Sequence, residues 1–257
     1  MIKKILVSIL IIAVNLSIQA ANTASSFSEA QTKQIEQIVH TYLLNNPQVI
    51  IEVAQKLHDQ ESAKINTQLD QIKSNVIKFK NEVFVSTGAG RAVAGNPSGK
   101  ITMVEFVQYQ CGHCRDAAPA VSKIITDHAD VKLVVVEWPF FGNSAVYASK
   151  AALAAQNQGK FFEVHNALLI AQDLSKSGVD KVLLGITGLD VQKIHSDMNS
   201  MKLDAGLKAN FMLAKKLNLV GTPSFMFANQ DLSKVSFVTG GGASIDDDLN
   251  NSLKEVL

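Results

Sequence analysis

The chain has 257 residues, with 24 basic against 23 acidic side chains and 47% hydrophobic residues. A near-neutral balance with no basic run argues against a nucleic-acid or membrane-surface partner, and the apolar content is enough for a packed core. Cys111 and Cys114, three positions apart, are its 2 cysteines. A secreted protein stabilised by disulfides scatters several along its length, and a loop this short staples nothing, so the pair points to chemistry.

The start of the chain sets the expected compartment. Met1-Ile2-Lys3-Lys4 is a short basic segment, Ile5 to Val14 is apolar but for Ser8, and Ile18-Gln19-Ala20-Ala21 offers a cleavage site after Ala20. That is the layout of a secretory signal peptide. A membrane anchor is the alternative, but the apolar run falls well short of the roughly 20 residues that span a bilayer. No cysteine lies near the site for a lipid anchor. Cleavage would remove Lys3 and Lys4 and leave 22 basic against 23 acidic residues, from the 24 and 23 of the whole chain.

Residues 21–87 are expected to form a helical arm. Ser28 and Gln31 have capping-box spacing, and Ile35, Ile38, Val39, Tyr42 and Leu43 share one helical face. Asn45-Asn46-Pro47 ends that helix and opens the next, which carries Ile50, Val53 and Leu57. Ile65, Leu69, Ile72, Val76, Phe79 and Val83 continue at alternating spacings of four and three, as in a coiled-coil seam, although Glu61 breaks the register. The stripe is thin for so long a helix, which favours self-association as a homodimer; packing on the chain's own domain is the other possibility. A linker of small residues is expected over 88–99.

From 100 to 257 strand and helix signals alternate, which makes the fold class α/β. Ile101–Tyr109 and Val131–Trp138 are strand-like runs flanking a helix that starts near Cys111, the pattern of a parallel crossover. A helical insert is expected over about 144–217. Strands follow at Ser224–Phe227 and Val235–Val238, then a last helix from Ser244.

Cys111-Gly112-His113-Cys114 falls where the first strand gives way to its helix. Unpaired backbone N–H groups and the helix dipole stabilise an anion there, and the thiolate is the nucleophile of disulfide exchange. Cys111, the outer residue, is the expected attacking thiolate, and Cys114, one turn in, the resolving thiol. Gly112 leaves room for a partner chain. His113 between the cysteines favours the thiolate, hence the reduced form, and makes the disulfide a better oxidant. A structural zinc site needs four ligands, and His40, His58, His128, His165 and His195 show no ligand spacing, so no metal is expected. His165 is read as an interior or boundary residue, and Phe140, Phe141 and Phe211 as core or as lining of a substrate groove. Gly221-Thr222-Pro223 before a strand suits a cis X–Pro turn.

Cys111-Gly112-His113-Cys114, the helical insert after Trp138-Pro139 and Gly221-Thr222-Pro223, in that order over about residues 97–257, resemble the bacterial DsbA-like proteins of the thioredoxin superfamily. The resemblance implies a thioredoxin fold with a helical insertion, and no cofactor beyond a redox-active Cys111–Cys114 disulfide. It implies that Thr222 and Pro223 dock the substrate backbone. Glu105 matches a buried carboxylate that manages protons, burial raising its pKa; a charge on an exposed strand face is the alternative reading. Three features depart from the best-known DsbA pattern: Gly-His between the cysteines, Thr222 before the proline, and the N-terminal arm, where Tyr42-Leu43-Leu44-Asn45-Asn46-Pro47 resembles dimeric members.

All three lean toward an isomerase or mixed oxidase–isomerase in the periplasm. The implied partners are exported cysteine-containing clients and a membrane redox partner of the DsbB or DsbD type. A plain dithiol oxidase is the alternative within this class. A cradle-shaped chaperone or a copper-binding protein is the alternative outside it.

Overall fold

The computed structural model describes residues 27–86 and 88–257; the signal-peptide expectation over 1–20 lies outside them. Contacts divide the chain into two units, Met1–Ile65 and Asn66–Leu257.

In the first unit, helix α1 spans Glu29–Asn45, and α2, Gln48–Lys78, begins after Pro47 and runs on into the second unit. The capping box forms as its spacing predicts: the Ser28 N–H donates to Gln31 Oε1 at 2.9 Å, and the Gln31 N–H donates to Ser28 Oγ at 3.3 Å. Asn46 closes α1 through its side-chain amide, which donates to the Tyr42 carbonyl at 2.8 Å. No described residue of this unit is buried. Ile38, Tyr42, Leu44, Ile51 and Leu57 are all more than half exposed, a degree of apolar exposure that marks an interaction surface.

The second unit is built on a five-stranded sheet in the order β1-β3-β2-β4-β5. Its strands are β1 Arg91–Gly95, β2 Ile101–Val107, β3 Val131–Glu137, β4 Ser224–Asn229 and β5 Val235–Thr239. β2 and β3 run parallel and the remaining pairs antiparallel. Helix α3, Gly112–Asp127, makes the crossover from β2 to β3. Both sheet faces are covered, which is why every residue of β2 is buried. Met103 and Val107 face the core shared with Ala117, Val121 and Ile124 of α3. Val104 and Phe106 face the opposite core with Val134, Val136 and Met226.

The helical insert holds α4 Asn143–Ala155, α5 Phe161–Ile170, α6 Lys176–Gly185, α7 Val191–Met198 and α8 Met201–Leu217. Ser175, Asp190 and Ser200 cap the last three through side-chain oxygens. Helix α8 ends on Asn218 in the left-handed conformation (φ 60°), and helix α9, Ile245–Val256, closes the chain.

Two expected boundaries are corrected. The unit boundary falls inside α2 at Ile65 and Asn66, not near residue 87. Ile72, Val76, Val83 and Phe84 are buried in the sheet's second core, with Leu213 and Leu217 of α8. The latter part of the four-three seam is therefore a core stripe of its own domain. The expected 88–99 linker contains β1, which pairs from Arg91↔Val136 to Gly95↔Lys132. Its Ala-Val-Ala sequence lacks the β-branched and aromatic density that marks a strand, and pairing with β3 supplies what propensity does not.

Truncating Ile72 should therefore act as a core deletion. Ile72→Ala is expected to lower the unfolding free energy by about 2–5 kcal/mol, read from urea denaturation; a loss under about 0.5 kcal/mol, the range of surface changes, would remove this stretch from the core.

Candidate active site

The parallel strands β2 and β3 end on the same side of the sheet, and β4, antiparallel to β2, begins there with Ser224 opposite Phe106. This topology brings the two ends of the site, over 100 residues apart in sequence, onto one edge. Cys111 is the N-cap of α3, in extended conformation with no side-chain cap hydrogen bond. Its Sγ donates to the Thr222 carbonyl at 3.1 Å, and the Thr222–Pro223 peptide is cis. Both cysteines are free thiols; Cys111 is half-buried and Cys114 fully enclosed.

These surroundings drive the thiols apart. The Cys114 thiol, donating to Cys111, is the largest influence that draws the Cys111 pKa down to about 5. Burial opposes it; the Thr222 side chain and the backbone N–H groups of Cys114 and His113 reinforce it. Those N–H groups are the unsatisfied donors at the start of α3. Cys114 moves the opposite way, raised by burial first and by Cys111 next. One sulfur is poised as a thiolate and the other held as a thiol.

His113 is mostly exposed, its Nδ1 4.0 Å from Asp116 Oδ2. A Cβ at Gly112 would meet nothing within 4 Å, leaving open space beside the outer sulfur. Glu105 lies on the face of β2 that Met103 and Val107 share with α3, and it is buried. The exposed-face alternative is thereby overturned. Its two carboxyl oxygens have no hydrogen-bond partner among the described residues. Burial pushes its pKa up to about 8, with the charge of Glu137 adding to the rise.

Several residues at this edge escaped the sequence reading. Gly240, after β5, donates its N–H to the Pro223 carbonyl at 2.9 Å. A Cβ on Gly241 would stand 2.7 Å from the His113 carbonyl oxygen, so only a glycine lets that loop close against the cysteine turn. Three consecutive glycines were the available signal. Glu137, at the end of β3, is the other omission: like Glu105 it is a carboxylate beside a run of apolar strand residues. Its carboxylate accepts from Tyr109 Oη at 2.5 Å and from Ser149 Oγ at 2.7 Å. Buried His165 touches the Tyr109 hydroxyl through Nδ1 at 3.0 Å and stacks with Phe161 and Phe162.

Phe140 and Phe141 are partly exposed; Phe140 lies tilted against Trp138 at a centroid separation of 4.9 Å, Phe141 meets Phe140 edge-on at 4.7 Å, and Phe211 meets Trp138 edge-on at 6.5 Å. They form one surface-reaching aromatic cluster.

A βαβ unit with a cysteine pair at the helix start, and a cis-proline turn against the outer cysteine, define a thioredoxin-fold thiol site. The chain belongs to the thioredoxin family, whose model matches residues 86–240. A second model, the copper resistance protein ScsC N-terminal domain, matches residues 31–64. Among solved structures, a thioredoxin-like oxidoreductase from Silicibacter pomeroyi is 31% identical with TM-score 0.60, covering 68% of this chain and 95% of that one. A linker-deletion variant of Proteus mirabilis ScsC shares the fold at TM-score 0.58 and 20% identity, covering 91% of this chain and 98% of that one.

Among curated relatives, disulfide bond formation protein D of Bacillus subtilis is 27% identical over 157 residues, 56% of this chain and 70% of that protein. The sodium/proton antiporter NhaA 3 of Salinispora tropica is 36% identical over 83 residues, 32% of this chain. The chain spans 13% of that antiporter's length.

A carboxyl whose folded pKa lies above its unfolded value stabilises the fold below the ordinary carboxylate range. That contribution is lost as pH rises through the folded value. For Glu105 the window runs from about 4.5 to about 8. Glu105→Gln should therefore gain stability relative to the native protein as pH rises through that window, by denaturant titration at several pH values. A constant difference across it would contradict the raised value.

Proposed function

We propose that the chain is a homodimeric thiol–disulfide oxidoreductase of the bacterial periplasm, which forms and reshuffles disulfides in exported proteins. One observation carries this reading. Cys111 caps α3, 3.1 Å from the Thr222 carbonyl, with its pKa drawn to about 5, while Cys114 is buried beneath it as the thiol.

The chemistry follows from that asymmetry. The Cys111 thiolate attacks one sulfur of a client disulfide, forming a mixed disulfide and expelling the other client sulfur as thiolate. Cys114 then gives up its proton and attacks Cys111 Sγ. The Cys111–Cys114 disulfide forms, and the client leaves with its second sulfur reduced. Run backwards, the same steps oxidise a client dithiol. Buried Glu105 takes or returns the Cys114 proton, since that thiol is enclosed in the core. Thr222 and Pro223 dock the client backbone beside the open space at Gly112, and His113 favours the thiolate. No cofactor is needed beyond the cysteine pair; a membrane partner of the DsbB or DsbD type resets its redox state.

The isomerase component rests on the first unit. Its exposed apolar helices, and the match of residues 31–64 to the ScsC N-terminal domain, support self-association. Joined copies hold a misfolded client between two Cys111 thiolates, near enough for a mixed disulfide to be attacked by another client thiol before Cys114 releases it.

Refolding of scrambled ribonuclease, with molar mass measured in parallel, tests the reading. Recovery of activity by a dimer is the expected result, abolished in Cys111→Ser. A monomer that oxidises reduced ribonuclease but leaves the scrambled form inactive would make the protein a plain oxidase.

A further inference from the structure

Two buried carboxylates lie on one face of the sheet, on adjacent parallel strands. Glu105 pairs in register with Val135, two residues before Glu137. The two are held very differently. Both Glu137 oxygens accept hydrogen bonds, from Tyr109 and Ser149, whereas neither Glu105 oxygen has a partner among the described residues. With the Tyr109 proton directed at Glu137, neutral His165 completes the chain by donating Nδ1–H to the phenol oxygen.

Hydrogen bonds to an anion favour it, and a like charge nearby disfavours a second. The first proton lost from the pair therefore leaves Glu137 charged and Glu105 neutral. We propose that Glu137 is a positioning residue: its charge, fixed by Tyr109 and Ser149, keeps the Glu105 carboxyl protonated and so ready to give its proton to Cys114. This rests on the exchange reading above and deepens it by naming what sets the protonation state of the proton carrier.

The step balances. When a client thiolate attacks Cys111 of the Cys111–Cys114 disulfide, the S–S bond breaks and its electron pair leaves on Cys114. The Glu105 proton then moves to that sulfur, leaving a Glu105 carboxylate that is short-lived beside charged Glu137.

Among the described residues, polar groups reach Glu137 from four other elements. They are Glu105 and Tyr109 from β2 and its continuation, Ser149 from α4 and His165 from α5. From α8, Asn210 donates to the Glu137 main-chain carbonyl at 2.8 Å. Cys114 of α3 couples electrostatically to Tyr109. His165 is held neutral by burial, its pKa lowered to about 3, so no cation among these neutralises Glu137. Burial itself lifts Glu137 to about 7, with the two hydrogen bonds pulling against it, and Glu105 higher still, to about 8. The pair titrates as a coupled system.

The test is the pH dependence of Cys114 expulsion, read by stopped-flow as the full-length oxidised protein reacts with a small monothiol. Carboxyl titration of the 13C-glutamate-labelled protein by NMR is followed in parallel. In the native protein the rate per monothiol thiolate falls as the Glu105 acid is lost. In Glu137→Gln, which keeps the shape and the acceptor but removes the charge, that inflection and the Glu105 carboxyl titration should both move down by about one pH unit, the coupling strength at which paired sites titrate together. Tyr109→Phe, which strips one hydrogen bond from the Glu137 anion, should move them in the same direction even if the glutamine variant folds poorly. Unmoved inflections in a folded variant would overturn the role of Glu137 while leaving the exchange chemistry standing. A native protein that reacts with no thiol would instead fail at the exchange reading itself.

Discussion

A negative charge on one sulfur, held at the first turn of α3, is the condition that the rest of the molecule serves. Sulfur anions are stabilised by donors, and a helix start supplies them without further side chains. The Cys114 thiol adds the strongest one, and burial first and Cys111 next raise its own pKa and hold it as a thiol. The asymmetry between two chemically identical residues thus comes from depth. A helical turn separates a half-buried position from an enclosed one, and two sheet faces packed on both sides make the enclosure complete.

That enclosure creates a second problem, which we propose buried Glu105 and Glu137 address. A buried thiol that alternates between proton-bearing and charged states needs a proton partner inside the core. Charges are tolerated there only when paired or neutralised. Glu105 is neutralised by a raised pKa, and Glu137 is partnered by two hydroxyls. The molecule therefore carries two carboxylates in one apolar layer, distinguished by their hydrogen bonds alone. The Gly240–Gly242 loop contributes from the opposite direction, hydrogen-bonding the Pro223 carbonyl and closing against the His113 main chain.

Much of this was legible in the sequence because the informative residues obey local rules. A cysteine pair at a strand-to-helix junction, Gly-Thr-Pro before a strand, and a capping box each act over a few positions. What the sequence hid depends on pairing across long separations. Strand β1 has weak intrinsic preference and exists because β3 offers an edge. Ile72 and Val76 sit in a stripe whose periodicity fits a partner helix and a sheet face equally well, and only the fold chooses between them. Glu137 gave the same sign as Glu105, a charge inside an apolar run, but its meaning comes from Tyr109, Ser149 and His165, which lie on three other segments. Gly241 matters through an atom of His113 more than 100 residues away in sequence.

The division of labour between the cysteines is best tested by alkylating the reduced protein over a range of pH and resolving each site by mass. The account predicts that Cys111 reacts with a midpoint near pH 5, while Cys114 stays unmodified throughout the neutral range. Equal labelling of the two residues, or a Cys111 midpoint near the ordinary thiol value of about 8.5, would contradict it.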